Sequence, residues 1–264
     1  MVKKIIHIGD IHLRTYKRHN EFVEIANKFF SEISELPYES EEIRIVIAGD
    51  LVHQKITVSN ELFQILSWFL NECAKIAKTI IIAGNHDLLE NNKDRLDSIS
   101  PIVDLMRNPN IFYYKDSMCY EDDNIMWCVY SIFEENKKPD FGKKKKDKTY
   151  VGLYHAPIMG AVTDMGFTFD DGLELEMFEG CDMVIMGDIH SRQRFDLGGI
   201  VLAYVGSFIQ QNYGESIDGH GYLIWDVEKK DYEEFDISTN YGYYQFRIRN
   251  ITDIDDDREV LLNG

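Results

Sequence analysis

The stretch KKIIHIGDIH, residues 3–12, decides how the fold is interpreted. An apolar run ends in Gly9, and a carboxylate and an imidazole follow at Asp10 and His12. The same four letters, GDIH, recur at residues 187–190 after a second apolar run, CDMVIM. Glycine lets the chain turn sharply where a strand ends, and sites form at the carboxyl ends of strands in open α/β sheets. The recurrence is open to three interpretations: an internal repeat, a coincidence, or two parts of one site that folding brings together.

The first half of the chain alternates short β-branched runs with longer amphipathic stretches, such as IRIVIAG followed by VSNELFQILSWFLNECAKIA. This alternation is the βαβ pattern of a parallel sheet whose strands are buried on both faces. After Pro109 short strands predominate, which predicts a second, mostly β half packed against the first. No linker rich in Ser, Gly or Pro separates the halves, so residues 1–236 are predicted to form one domain, followed by a tail over 237–264.

The composition predicts a folded but strongly acidic protein. The 264 residues are 44% hydrophobic, enough for a substantial core. The 46 acidic and 28 basic residues give a formal charge of −18, which argues against a general affinity for nucleic acid. The strongly positive exception is residues 137–148, which we interpret either as a solvated loop or as a contact to a DNA backbone.

The four cysteines (Cys73, Cys119, Cys128 and Cys181) are widely spaced without a CxxC pair, which favours buried free thiols in a reducing compartment. The N-terminal apolar run is too short for a signal-peptide core, and no run approaches the roughly 18 residues of a membrane span. We expect a soluble cytoplasmic protein that does not enter a membrane, compatible with a bacterial or a bacteriophage origin.

Polar side chains cluster after five predicted strands. Asp, Asn and His on loops at strand ends are the ligand set for two divalent ions in a mixed oxygen and nitrogen site. One Asp after Gly is common turn chemistry, but several such clusters in order are hard to explain structurally. The clusters are Asp10 with His12; Asp50 with His53; Asn85, His86 and Asp87; His155; and Asp188 with His190.

The order GDIH, GDLVH, GNHD, YHAP and GDIH resembles the calcineurin-like metallophosphoesterase superfamily, whose pattern is D-x-H, G-D, G-N-H-D, a lone His and G-H-x-H. Within it the chain looks most like SbcD-type nuclease subunits of DNA double-strand-break repair, because of GDLVHQ and of YVGSFIQQNYGE followed by GYLIWDV. The resemblance covers roughly residues 3–227. It implies an α/β fold in which two mixed β-sheets pack as a sandwich flanked by helices (αββα).

The resemblance also implies roles for individual residues. It assigns one metal to Asp10, His12, Asp50 and His190, and the second to Asp50, Asn85, His155 and Asp188, so that Asp50 bridges. A hydroxide activated by both ions would attack phosphorus. His86 would stabilise the transition state and protonate the leaving oxygen, and His53 would help to handle a DNA strand.

Asp188 departs from the family pattern, which has a histidine there. Three carboxylates, Asp10, Asp50 and Asp188, would then repel one another without metal, and the pKa of at least one should rise. An oxygen ligand in place of imidazole favours harder ions, so we expect two Mn²⁺, or Mg²⁺, over zinc.

The function implied is that of a metal-dependent DNA exonuclease and endonuclease of repair or recombination, the partner of an SbcC-type ATPase of the SMC class. Homodimers and a capping domain accompany such nucleases, and YYQFRIRNI in the tail is a candidate first strand of a cap. Two alternatives remain open. The acidic composition favours a phosphatase or small-molecule phosphodiesterase, and Asp188 favours a catalytically weak docking subunit.

The remaining polar residues have structural interpretations. We expect His7 to be a core histidine, His19 to lie at a helix start, and His220 to lie in a turn. Asp87 is expected to orient the GNHD turn or His86 by hydrogen bonding without touching metal.

Overall fold

Two six-stranded β-sheets form the frame of the protein. The computed structural model describes residues 1–134, 137–170 and 173–244. Along the chain the elements are β1 (Lys4–Ile8), α1 (His19–Ser34), β2 (Ile43–Ala48), α2 (Asn60–Ile76), β3 (Lys78–Ile82), α3 (Ser100–Met106), β4 (Ile111–Tyr113), β5 (Cys119–Asp122), β6 (Ile125–Tyr130), β7 (Thr149–His155), β8 (Met183–Gly187), β9 (Gln193–Leu197), β10 (Ile200–Tyr204), β11 (Gly221–Asp226) and β12 (Asp231–Asp236). Short 3₁₀ helices span Ser40–Glu42 and Leu175–Phe178.

The first sheet has the order β12-β11-β1-β2-β3-β4, in which β1 to β4 are parallel and β11 runs antiparallel to β1. The second has the order β5-β6-β7-β8-β10-β9, with β5 and β9 as antiparallel edge strands. Both sheets are mixed, and helices flank them, which confirms the predicted fold class.

The strands predicted after Pro109 do not all belong to the second sheet. β4 pairs with β3 at one edge of the first sheet, and β11 pairs with β1 over residues 4–7, so that β11 and β12 complete the first sheet at its other edge. The edge strands β5 and β9 and the short helix α3 were not predicted. Residues in β9 alternate between half-buried and exposed without a continuous apolar run, so the pattern that identified the central strands is missing there.

Successive side chains along a strand point to opposite faces of the sheet, and this divides the hydrophobic core into layers. Ile6 on β1 and Ile45 on β2 face the helices, whereas Ile5 and Val46 face the second sheet. The helices α1 and α2 pack against each other over the first sheet, with the ring of Phe22 5.2 Å from that of Phe69. Between the sheets lie fully buried side chains that include Trp127 and Trp225.

The other face of the second sheet is covered by the 3₁₀ helix Leu175–Phe178 and by loops, with Phe178 packed against Tyr130 at a ring distance of 4.9 Å. None of the helices in the described ranges is long and apolar enough to cross a membrane. The predicted start of a capping domain falls largely on residues 245–264, outside the described residues, and stays a prediction.

Candidate metal centre

The strand ends place their acidic side chains through unusual backbone angles. Asp10, His12, Asp50 and Asp188 have φ values of 48°, 47°, 52° and 96°. Positive φ is uncommon for residues other than glycine and clusters at functional sites. Because β1 and β2 belong to one sheet and β7 and β8 to the other, these turns meet where the two sheets converge.

Three glycines let the sheets approach each other around His155. A Cβ atom on Gly49 would lie 2.3 Å from His155 Nδ1, and one on Gly84 would lie 2.6 Å from His155 Nε2. On Gly187 it would lie 2.1 Å from the carbonyl oxygen of Ala48. No side chain fits at such distances, so glycine is required at all three strand ends.

Among the described residues, four groups of three side chains could hold an ion, and two of these groups consist of predicted ligands alone. In the first group, the ligand atoms of Asp10, His12 and His190 lie within 4.8 Å of one another, and His12 Nε2 and His190 Nε2 are 3.0 Å apart. In the second, the ligand atoms of Asp10, Asp50 and His155 meet the same limit. Both groups contain residues that the sequence predicted as ligands.

Asp10 is common to both groups, and Asp50, a member of the second group, also faces His12 of the first. Asp50 Oδ2 lies 3.4 Å from His12 Nε2 and its Oδ1 lies 3.3 Å from His155 Nε2, so each oxygen faces a different imidazole. Asp188 belongs to the same edge, with its Oδ1 3.7 Å from His155 Nε2 and its backbone N–H donating to Asp10 Oδ1 at 3.0 Å. Because its two oxygens face different imidazoles, the Asp50 carboxylate has the arrangement expected of a bridge between two ions.

The donor atoms fit divalent ions. His155 Nδ1 donates to the carbonyl of Ala48 at 2.6 Å and His190 Nδ1 donates to Glu215 at 2.8 Å, which leaves each Nε2 as the metal-facing nitrogen. Asn85 Oδ1 is buried without a hydrogen-bond partner among the described residues. An unpaired buried polar atom is costly, and a cation at this edge would satisfy it.

The electrostatics of the metal-free edge agree with this assignment. Burial, together with Asp50 and Asp188, raises the pKa of Asp10 to about 7, against the opposing charges of His155 and His190. Burial is also the first cause that raises the pKa of Asp188. The expected rise in a carboxyl pKa is therefore present, but desolvation contributes more to it than repulsion between carboxylates.

His86 and His53 form a separate pair beside the ligands. The rings stack with centroids 5.4 Å apart, and the ring of His86 lies 4.7 Å from that of His12. His86 Nδ1 donates to the carbonyl of His53 at 2.7 Å, and His86 N–H donates to Asp50 Oδ1 at 2.8 Å. The Arg14 guanidinium lies 3.4 Å from His53 Nε2.

The expected supporting residues lie where the sequence indicated. Asp87 accepts hydrogen bonds from the N–H groups of Val52 at 3.0 Å and Gly84 at 2.9 Å, and so ties the GNHD turn to the neighbouring strand end. His7 is fully buried, with Nε2 donating to the carbonyl of Met186 at 3.1 Å, and burial lowers its pKa to about 3. His19 opens α1.

Glu215 is the main residue that sequence reasoning missed. Its carboxylate is buried and accepts hydrogen bonds from His190 Nδ1, Ser207 Oγ, Gln211 N–H and Asn212 Nδ2 at 2.8–2.9 Å. A carboxylate behind a ligating histidine fixes the ring and its tautomer. The sequence feature that could have indicated this role is the YVGSFIQQNYGE segment, which contains both Ser207 and Glu215.

The later part of the positive stretch lies away from this edge. Lys145 and Lys148 pair with Glu121 of β5 at 2.5 and 2.8 Å. β7 then runs from Thr149 to His155, which separates the lysines from the metal edge by about 20 Å at about 3.3 Å per residue. This position favours the solvated-loop interpretation for residues 143–148.

Comparison with known proteins assigns the family. The chain belongs to the calcineurin-like phosphoesterases, whose sequence model matches residues 3–192. Membership of this family implies metal-dependent hydrolysis of phosphoesters. A curated relative, "Uncharacterized protein R555" of Acanthamoeba polyphaga mimivirus, is 37% identical over 257 residues, covering 94% of this chain and 19% of the relative. This chain thus spans about a fifth of that protein's length.

Solved structures of related shape include an archaeal phosphodiesterase, with 16% identity, a TM-score of 0.47 and coverage of 88% of this chain and 99% of that one. Phosphopantetheinyl hydrolase of Mycobacterium tuberculosis has 13% identity and a TM-score of 0.47, with coverage of 77% and 89%.

Proposed function

We propose that this chain is a two-metal phosphodiesterase that cleaves DNA, as a nuclease of repair or recombination. The observation that carries the proposal is the position of His53. This fourth imidazole stacks on His86 and lies 5.4 Å, ring to ring, from His12, with Arg14 beside it. A DNA strand carries further phosphates beside the one that reacts, and arginine is a common ligand of such backbone phosphates.

The residues have distinct tasks in this proposal. Asp10, His12, Asp50 and His190 hold one ion, while Asp50, Asn85, His155 and Asp188 hold the other. Bound divalent ions supply Lewis acidity toward phosphoryl oxygens and lower the pKa of water. His86, whose Nδ1 is committed to the carbonyl of His53, offers its Nε2 to protonate the leaving oxygen.

Mn²⁺ is the proposed native ion, with Mg²⁺ as the second choice. The oxygen of Asp188 stands where the family pattern has an imidazole, and an additional hard ligand favours these ions over zinc. The partners proposed are DNA, an SbcC-type ATPase subunit of the SMC class and a second copy of the chain. Because the chain has a formal charge of −18, which repels DNA, we propose that a partner helps to hold the DNA.

The test is cleavage of end-labelled linear duplex DNA in Mn²⁺, in Mg²⁺ and in chelator. Parallel reactions contain bis(p-nitrophenyl) phosphate and p-nitrophenyl phosphate, and His86→Ala controls for contaminating nuclease. The proposal predicts metal-dependent DNA cleavage that the variant lacks. The proposal would be contradicted if the small esters were hydrolysed while DNA stayed uncut, both with and without the ATPase partner.

A phosphatase or small-molecule phosphodiesterase is the second candidate, since a formal charge of −18 repels polynucleotides. It predicts a higher kcat/KM for p-nitrophenyl phosphate, or for the small diester, than for DNA. A catalytically weak docking subunit is the third, and it predicts at most one tightly bound ion because Asp188 would have impaired the second position.

A further inference from the structure

Two free thiols meet on the outer face of the second sheet, away from the metal edge. Cys119 lies on the edge strand β5 and is half-buried, whereas Cys128 lies on β6 and is buried. Their sulfur atoms are 3.2 Å apart. The pair forms only through the antiparallel register of β5 and β6, in which Cys119 stands opposite Cys128.

The register places these cysteines where a disulfide fits. The N–H of Val129 donates to the carbonyl of Met118 at 3.0 Å, so Met118 and Val129 form a hydrogen-bonded pair. The next pair, Cys119 and Cys128, is therefore of the non-hydrogen-bonded kind, with Cα atoms about 4.5 Å apart. Disulfides span Cα distances of about 4.4–6.8 Å, so the backbone needs little movement.

The two thiols differ in the way that exchange chemistry requires. The hydrogen bond between the two sulfur atoms lowers the pKa of Cys119, against burial and the charge of Asp140. The same hydrogen bond, together with Cys181 and burial, raises the pKa of Cys128. A partly buried thiol whose pKa is lowered is the better nucleophile toward external disulfides, and a buried neighbouring thiol can then resolve the mixed disulfide.

The lysine-rich loop before β7 lies beside β5, although the charged group that acts on Cys119 itself is the carboxylate of Asp140. Glu121, two residues after Cys119 and on the same face of β5, binds Lys145 and Lys148. Lys143 and Lys146 are exposed and have no carboxylate partner among the described residues. In a chain of charge −18, this local surplus is the feature that attracts small anions.

We propose that Cys119 and Cys128 are a thiol–disulfide exchange site for a small disulfide that carries carboxylates. The Cys119 thiolate attacks one sulfur of the ligand, whose S–S bond breaks and releases one thiolate. Cys128 then gives up its proton and attacks the Cys119 sulfur of the mixed disulfide, releasing the second thiolate. Two protein thiols are oxidised to one disulfide, and the ligand is reduced to two thiols.

The exchange site is separate from the metal edge. Cys128 pairs with Gly152 of β7, three residues before His155, which is about 10 Å along the strand at about 3.3 Å per residue. Oxidation is therefore testable in the full chain without changing any proposed metal ligand.

The probe is oxidised glutathione, with free thiols counted after denaturation and the products mapped by mass spectrometry. Wild type should lose two thiols without retaining an adduct. Cys128→Ser should accumulate glutathione on residue 119, and Cys119→Ser should keep its thiols. Cys73→Ser, which alters a buried thiol in the helical layer, should behave as wild type. Unchanged thiols in wild type, or a mapped bridge between Cys128 and Cys181, would overturn the proposal.

The lysines are tested by rate. Lys143→Ala with Lys146→Ala should slow oxidation by glutathione disulfide about threefold to tenfold at low salt, while oxidation by neutral hydroxyethyl disulfide stays unchanged. Equal rates with the charged probe, or equal slowing with both probes, would refute the lysine role and with it the choice of an anionic ligand.

Discussion

Glu215→Gln tests how far the metal centre depends on the carboxylate behind His190. Oε1 of Glu215 accepts from His190 and Asn212, each at 2.8 Å, and Oε2 accepts from Ser207 at 2.9 Å and from the Gln211 N–H at 2.8 Å. Glutamine has the same shape but offers one oxygen and one NH₂ group. Its oxygen can serve the His190 side, and its NH₂ group then faces the Gln211 donor.

The substitution should lower both the stability and the metal affinity of the protein. The buried Gln211 N–H loses its acceptor, which costs about 1–3 kcal/mol of stability. A neutral amide also stabilises the His190 ring less well as a ligand, and changes of this kind typically reduce metal affinity about 10–100-fold, or about 1.4–2.8 kcal/mol. We expect the variant to fold but to need correspondingly more Mn²⁺.

The assays are calorimetric Mn²⁺ titration and urea unfolding of the metal-free protein. Glu233→Gln, the same chemical change at an exposed position on β12, is the matched control and should alter neither quantity. Wild-type Mn²⁺ affinity in folded Glu215→Gln would refute the role assigned to this carboxylate.

Three further outcomes are expected. His86→Ala should lower the rate of phosphodiester hydrolysis about 10²–10⁴-fold and keep the Mn²⁺ affinity, because His86 is proposed to protonate the leaving oxygen and not to bind metal. Loss of both the hydrolysis rate and the Mn²⁺ affinity would show that His86 is a metal ligand. Gly187→Ala should lower stability by about 1–3 kcal/mol or more, since the new Cβ would lie 2.1 Å from the carbonyl oxygen of Ala48, and unchanged urea unfolding would show that the sheets can separate there. Asp122→Asn should cost about 3 kcal/mol above pH 5 by removing the partner of buried Arg44. Burial opposes ionisation of Asp122, but Arg44 holds its pKa below the ordinary value, so wild type loses this contribution as the pH falls below about 4 while the variant shows no such loss.

The central strands and most proposed ligands were predictable because their signals are local. A continuous apolar run followed by Gly and Asp or Asn marks a buried parallel strand and its carboxyl end, and the structure brings Asp10, Asp50 and Asp188 together at that edge. The glycines that permit the close approach of the sheets, such as Gly187, were visible for the same reason.

Other features depend on partners distant in sequence. The return of β11 to pair with β1 joins residues more than two hundred positions apart, and no local pattern specifies it. Glu215 is an ordinary acidic residue until the fold places it behind His190. The cysteines were correctly interpreted as free, but their spacing gave no sign that Cys119 and Cys128 stand opposite each other on neighbouring strands.

The most direct test of the central claim is the number of Mn²⁺ ions bound per chain, measured by the electron paramagnetic resonance signal of free Mn²⁺ during titration. Asp50 faces both His12 and His155, so the account predicts two bound ions in wild type and weakening of both in Asp50→Ala. A single ion in wild type, or two ions held with wild-type affinity in folded Asp50→Ala, would contradict a bridged two-metal centre.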